Sequence, residues 1–277
     1  MAFDGFIAEL GDIPVITDRA LVRQKSRDFF WYSPLLKEQL NRKSADLVAC
    51  PRSEADVVRV ASACARHKMP LTVRGAGTGN YGQSVPLHGG VVLDMAGLDR
   101  VLSLEDGLVT VEAGAKLIDI ERAAAPRGWE LRMYPSTKRS ATIGGFVGGG
   151  SGGIGSITYG GLRERGNIVG ARVVSCEAEP RIVELGGDEI NAVNHAYGTT
   201  GIITQLKVPM APLLPWIEVV AAFDDFMTAA RCGRALAGSD GIAKKLSTVC
   251  AENRLGTLST TPKTQIPRIS VTSHFGK

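Results

Sequence analysis

Two segments of this chain carry residue types and spacing that could do chemistry, and both are built on glycine. The first, RGAGTGNYG (74–82), directly follows the apolar run PLTV (70–73). Closely spaced glycines let a backbone turn sharply and gather successive N–H groups around one point. With no Cβ in the way, such a concavity suits a diphosphate. Thr78, Asn80 and Tyr81 can add side-chain bonds. Gly77, Gly79 and Gly82 also satisfy G-x-G-x-x-G, but that fingerprint needs a helix to begin within it. The next residues are QSVPLHGG, where Pro86 and the Gly89–Gly90 pair forbid a helix of useful length. A nicotinamide-binding Rossmann site is therefore disfavoured, and an ordinary glycine-rich turn is the plain alternative.

The second segment, ATIGGFVGGGSGGIG (141–155), holds eight glycines between positions 144 and 155. A flexible linker is its plain reading. Against that, Ile143, Phe146, Val147 and Ile154 interrupt it as apolar anchors, and strand and turn patterns flank it on both sides. Each glycine costs up to ~1 kcal/mol relative to alanine in an ordered element, so this density needs an offsetting gain. Close approach of the backbone to a large flat ligand would supply one.

Other reactive groups are sparse. Cys50, Cys64, Cys176, Cys232 and Cys250 form no C-x-x-C pair and no zinc or iron–sulfur spacing, so no metal site is expected, and an odd count suits a reducing compartment. His88 and His195 read as surface or core residues.

The elements that must position the two segments follow an α+β pattern. DLVAC (46–50) and PLTVRG (70–75) read as strands around a helix capped by Ser53, a small parallel strand–helix–strand lobe. GVVLDM (90–95) is a further strand. RVLSLEDGLVTVEAGA (100–115) gives two strands joined by Asp106–Gly107, the strongest short hairpin signal. KLIDIERAAA (116–125) reads as a helix, 168–176 and 180–185 as paired strands, and 201–210 as a closing strand of a larger mixed-sheet lobe. WIEVVAAF (216–223) and 224–238 read as a fresh strand and helix. The domain reading is an N-terminal extension at 1–44, a two-lobed domain at 45–212, the start of another at 213–249, and a structureless tail at 250–277.

The composition bounds the rest. At 277 residues with 44% hydrophobic content the chain can bury a real core. A net charge of +4, with acids interleaved among the bases, argues against a nucleic-acid partner. No secretory start and no apolar span of membrane length are present, so a cytoplasmic protein is expected.

Eight short motifs in order resemble one family: P-x-S-x-x-D-V (51–57), PLTVRGAGTG (70–79), VVLDM (91–95), VTVEAGA (109–115), YPS (134–136), ATIGG (141–145), YG (159–160) and YGTTGIIT (197–204). Together, over about residues 45–212, they resemble the FAD-linked oxidases of the vanillyl-alcohol oxidase type, whose domain is also called the PCMH-type FAD-binding domain. The resemblance implies that Arg74, Gly75, Ala76, Gly77, Thr78, Gly79, Asn80 and Tyr81 wrap the diphosphate. It places Pro135, Ser136, Ala141, Thr142, Gly144 and Gly145 along the ribityl chain and ring. Gly152, Gly153 and Gly160 would let the backbone pass near the ring, and Gly201 and Ile202 would contact the cofactor through the main chain. Covalent members carry a histidine in the first loop or a cysteine before the second; here stand Gly79–Asn80 and Ser140–Ala141, which implies noncovalent FAD.

The implied activity is oxidation of an alcohol, with a 2-hydroxy acid as the small-molecule substrate suggested by the RGAGTG form of the loop. Family members carry a cap domain after the FAD domain, of which only the first strand and helix are recognisable here, so the chain reads as truncated. No catalytic residue is assigned; Tyr134, Tyr159 and Arg163 are each as readily structural. A flavin-binding module without turnover, a partner subunit or oligomer component, is the alternative. A related FAD domain in reductases of the peptidoglycan-precursor type fits the YGTTGIIT ending less well.

Overall fold

The computed structural model describes residues 3–250 and the backbone of residues 269–275. The smaller lobe begins with α1 (Asp4–Leu10), β1 (Val15–Ile16), α2 (Arg19–Lys25) and α3 (Pro34–Leu40). The Asp18 and Ser33 side chains accept hydrogen bonds from first-turn amides of α2 and α3, which fixes where these short helices start. Then come β2 (Leu47–Ala49), α4 (Glu54–Arg66), β3 (Leu71–Arg74) and β4 (Val91–Asp94).

At the start of α4, the Ser53 hydroxyl accepts from the Asp56 amide while the Asp56 carboxylate accepts from the Ser53 amide. The helix then buries Val57, Val60, Ala61 and Cys64 against the sheet, together with Phe6 and Leu10 of α1. The sheet runs β1-β2-β4-β3, with β2 and β3 both parallel to β4 and β1 antiparallel. Residues 1–44, an extension by sequence pattern, thus supply part of this lobe's core.

The larger lobe comprises β5 (Val101–Glu105), β6 (Leu108–Glu112), α5 (Leu117–Ala124), β7 (Trp129–Leu131), α6 (Ile143–Gly149), α7 (Ser156–Tyr159), β8 (Gly170–Val174), β9 (Ile182–Gly186) and β10 (Ile202–Pro212). The β5–β6 hairpin turns on Asp106 and Gly107 with φ of 47° and 72°, the paired positive values that a type I′ turn requires. The sheet order is β5-β6-β10-β8-β9, and β7 pairs with the far end of β10. β10 is its spine: residues 205–209 pair with β6, 202–207 with β8 and 210–212 with β7.

The helix α6 is a departure from the sequence reading, because four of its seven residues are glycine. It forms because the Thr142 hydroxyl accepts from the Gly145 amide, and because Ile143, Phe146 and Val147 fall on one face and are buried. Tertiary packing outweighs intrinsic propensity there.

Glu54 joins the two lobes. Its carboxylate accepts from Arg172 Nη2 at 2.8 Å and Nε at 3.1 Å on β8, and from the buried Thr204 hydroxyl on β10 at 2.6 Å. Removing it takes the acceptor from two guanidinium N–H groups and leaves the Thr204 hydroxyl only the Arg172 carbonyl at 3.3 Å, so Glu54→Ala is expected to lower stability by about 2 kcal/mol in urea unfolding. The bond from the Arg172 guanidinium holds the Glu54 carboxyl below its usual range, helped by Thr204 and opposed by burial. This contribution is therefore complete above the ordinary carboxylate pKa and disappears as pH falls through the lowered folded value. Glu54→Gln should flatten that part of the pH profile.

A third layer follows: β11 (Ile217–Phe223), α8 (Phe226–Ala237), β12 (Lys244–Cys250) and β13 (Ile269–Phe275), an antiparallel sheet in the order β11-β13-β12. Of the segment read as a structureless tail, residues 251–268 and 276–277 lie outside the described residues. No helix among the described residues is long and apolar enough to cross a membrane.

Candidate functional site

The two glycine segments, far apart in sequence, meet in space. A Cβ built on Gly75 would stand 2.3 Å from Thr142 Oγ1 and 3.3 Å from Gly145 Cα, so the first loop abuts the start of α6 only because residue 75 has no side chain. Between them opens a cavity of about 750 Å³, within the ~300–1,000 Å³ typical of small-molecule sites.

Of the residues singled out from sequence, Gly75, Ala76, Gly77, Thr78, Gly79, Asn80 and Tyr81 line one side of it. Pro135, Ser136, Ala141, Thr142, Gly144, Gly145, Gly152 and Gly153 line another, and Gly201 a third. Three lie elsewhere. Arg74 is buried beneath the loop at 8% exposure, its guanidinium donating to the carbonyls of Arg27 and Ala76. Ile202 is fully buried in the core, while Ile203 faces the cavity. Gly160 ends α7 against the Glu164 side chain.

The first loop presents free donors. Within the described residues none of the backbone amides from Ala76 to Asn80 donates a hydrogen bond, whereas the flanking Tyr81 amide donates to Gln83 Oε1 at 3.0 Å. Burial pushes the Arg74 guanidinium pKa down, opposed by the charges of Asp94 and Asp28. A cation therefore lies under the loop without entering the cavity.

The second segment presents bare backbone. Gly148 and Gly149 lie in α6 at ordinary φ, and a Cβ on Gly148 would meet nothing within 4 Å; on Gly149 it would meet only Ser151 Oγ at 3.9 Å. Neither packing nor backbone conformation explains glycine at these positions. Both line the cavity, so space left for a bound group does explain it.

Sequence reasoning missed several wall residues. Asp28 comes from the N-terminal segment and Leu246 from β12. His195, which reads as a surface or core residue, stands on the wall, its Nε2 2.6 Å from Tyr197 Oη. Both residues adopt positive φ, 59° and 52°, held by bonds from their amides to the carbonyls of Val147 and Gly148. Such strain in non-glycine residues gathers at ligand clamps; histidine's tolerance of that region was the faint signal available. His88 is exposed, away from the cavity. Tyr134, Tyr159 and Arg163 are not on the wall: Tyr134 lies against the ammonium groups of Lys138 and Lys245, Tyr159 against Arg132, and Arg163 bonds the Asn194 carbonyl. Among the described residues no cluster of three or more His, Cys, Asp or Glu side chains could hold a metal ion.

Comparison with known proteins adds the remaining findings. Residues 45–185 match the family model for the FAD binding domain. The chain is 29% identical over 178 residues to the glycolate oxidase subunit GlcD of Bacillus subtilis, an alignment covering 60% of this chain and 37% of that protein. It is 29% identical over 218 residues to the D-2-hydroxyglutarate dehydrogenase of Escherichia coli, covering 71% of this chain and 21% of that one. The chain thus spans well under half the length of either relative. Its fold superposes on alkyldihydroxyacetonephosphate synthase with a TM-score of 0.82 at 18% identity, covering 98% of this chain and 59% of the other.

Proposed function

Because the chain belongs to the family of FAD binding domains, we propose that the cavity holds FAD noncovalently and serves an oxidoreductase acting on a 2-hydroxy acid. The observation that carries the flavin reading is the bare wall at Gly148 and Gly149, where the chain forgoes side chains that nothing of its own would obstruct. The free amides of Ala76 to Asn80, with Arg74 beneath them, would hold the diphosphate. Pro135, Ser136, Ala141 and Thr142 would line the ribityl chain and the near edge of the ring, and Gly144, Gly145, Gly152 and Gly153 would bring the backbone close to it. Gly201 would make its contact through the main chain. When bound, the flavin supplies a hydride acceptor at N5 for the substrate carbon. The chain's own part is to seat that ring and shield it, with Phe146, Ile203 and Leu246 giving the cavity apolar surface.

Noncovalent attachment is supported by the wall itself, on which no cysteine stands and whose one histidine, His195, is engaged with Tyr197. The substrate class rests on the relatives, since glycolate and 2-hydroxyglutarate are both 2-hydroxy acids. All five cysteines are free, which supports a reducing, cytoplasmic setting.

A second reading, a flavin-holding module that works with a partner subunit, is favoured by one observation. The third layer leaves the large apolar side chains Val220, Phe226 and Met227 exposed at 62, 51 and 58%, apolar surface that a partner would cover.

The test is the absorbance spectrum of the purified protein before and after acid precipitation. Flavin bands that leave with the supernatant are expected. Anaerobic addition of a panel of 2-hydroxy acids should bleach them if the chain turns over alone. A folded protein that stays colourless with added FAD would overturn the proposal, and flavin that no 2-hydroxy acid bleaches would leave the module reading in its place.

A further inference from the structure

Resting on the flavin reading, we infer that His195 and Tyr197 form a seat for one flat heteroaromatic ring of the bound dinucleotide, adenine or isoalloxazine. Both residues line the cavity. Both are exposed, Tyr197 at 41%, so neither ring is closed off from a ligand.

The turn that carries them is pinned between two elements. The amides of His195 and Tyr197 donate at 3.0 Å to the carbonyls of Val147 and Gly148, towards the end of α6. A Cβ on Gly150 would fall 2.2 Å from Cβ and Cγ of His195, so this histidine fits there only because residue 150 has no side chain. A Cβ on Gly198 would fall 3.2 Å from Val73 of β3, itself a cavity residue.

Backbone demands do not select these two side chains. Both residues hold positive φ, 59° and 52°, where glycine is at ease and a tyrosine is strained. A glycine at either position would make the same amide bond. Burial does not select them either, since both are exposed. What the side chains add is a pair of rings, with centroids 5.1 Å apart and planes crossing at 80°. His195 Nε2 lies 2.6 Å from Tyr197 Oη. The phenol and one imidazole nitrogen therefore satisfy each other, and the ring faces are what the pair has left to offer.

Ring faces select flat aromatic ligands. A ligand ring stacked on either member meets the edge of the other, and these are the two arrangements that aromatic pairs favour. Gly148, whose carbonyl holds the Tyr197 amide, and its neighbour Gly149 carry no side chains that would obstruct a flat group beside the pair. FAD carries two such rings, one at each end.

The full chain, stripped of flavin, is titrated with FAD by fluorescence quenching. ADP and FMN, each carrying one of the two rings, are then used as competitors. Tyr197→Leu, which keeps bulk and removes the aromatic face, is expected to weaken FAD about 5- to 100-fold. The loss should recur in one competitor and spare the other. A weakened ADP names adenine as the seated ring, and a weakened FMN names the isoalloxazine. His195→Ala should lose a smaller factor against the same competitor. Tyr197→Phe keeps the face and gives up only the bond to His195, so it should retain most of the affinity. Thermal melts check that each variant is folded. Tyr197→Gly, which relieves the left-handed backbone as it removes the ring, serves if the leucine variant does not fold. Equal losses in ADP and FMN would mean that the turn only braces the cavity, and would overturn the inference. So would wild-type FAD affinity in a folded protein without the Tyr197 ring. A wild-type chain that ignores FAD would instead sink the flavin reading on which the seat depends.

Discussion

Gly148→Val is expected to leave the protein folded while weakening FAD binding by about 100-fold. The two halves of that expectation come from the same fact. A Cβ at residue 148 would meet no atom of the chain outside its own helical turn within 4 Å, so packing does not resist the start of a side chain there. Its φ is ordinary, so the backbone does not resist it either. The space it would enter is the cavity, where a branched side chain overlapping the ligand should cost on the order of 1–3 kcal/mol or more. Gly148→Ala sharpens the contrast, because alanine in a helix is worth about 1 kcal/mol over glycine. It should melt about 2–4 °C higher and bind flavin less well. Gly150→Ala is the control with the opposite pattern. Its φ is 62° and its Cβ would fall 2.2 Å from His195, so it should lose stability outright. Thermal melts and FAD titrations on the three proteins read both quantities. Wild-type FAD affinity in Gly148→Val would remove the case for a ligand against α6.

The second large effect is expected at Glu130, which anchors the third layer. Glu130 and Lys245 are 4% and 6% exposed, with Lys245 Nζ 2.9 Å from Glu130 Oε2. The Trp216 indole N–H donates to both carboxylate oxygens, at 2.8 and 2.9 Å. Tyr134, its phenol pushed up to about 12 chiefly by burial, stays neutral beside them, its ring 5.3 Å from Lys245 Nζ. Glu130→Ala strands a buried ammonium and an indole N–H, which should cost about 3–5 kcal/mol. The loss should be local. β12 is tied to the larger lobe by the Gly155 amide on the Lys245 carbonyl and the Thr158 hydroxyl on the Lys244 carbonyl. Hydrogen exchange is expected to show β12 losing protection in Glu130→Ala while β10 keeps it. The double variant Glu130→Gln, Lys245→Met should recover most of the loss, since paired removal leaves no buried charge. Uniform loss of protection across both strands would contradict the picture.

Much of the fold was legible because local signals agreed with it. Ser53 and Asp56 announce the start of α4, Asp106–Gly107 announces the hairpin, and the strand-like runs at 168–176 and 180–185 give β8 and β9. The helix α6 was not legible, since its glycine content argues against any helix and only contacts such as Gly144 against Ala113 stabilise it. In the cavity, both glycine arcs were visible as composition. Asp28 was not, because an acid in a mixed N-terminal segment has no meaning until Arg74 and Gly79 bond the backbone of its neighbours Arg27 and Phe29. Arg74 could be read as a ligand contact from its place beside the loop, but nothing in the sequence says that its side chain turns inward. Leu246 depends on the Glu130–Lys245 pair, an encounter between residues that share no local pattern.

The long spine β10 has a temporal consequence. It closes the larger sheet by lying between β6 and β8, both synthesised well before it, and it carries Gly201 and Ile203 to the cavity. A ribosome-bound chain that has emerged only as far as β9 holds both glycine arcs but no shared wall to set them against. Non-local pairing of this kind is slow to form. Coenzyme is therefore expected to be captured only after the sheet's last strand has been threaded into its centre.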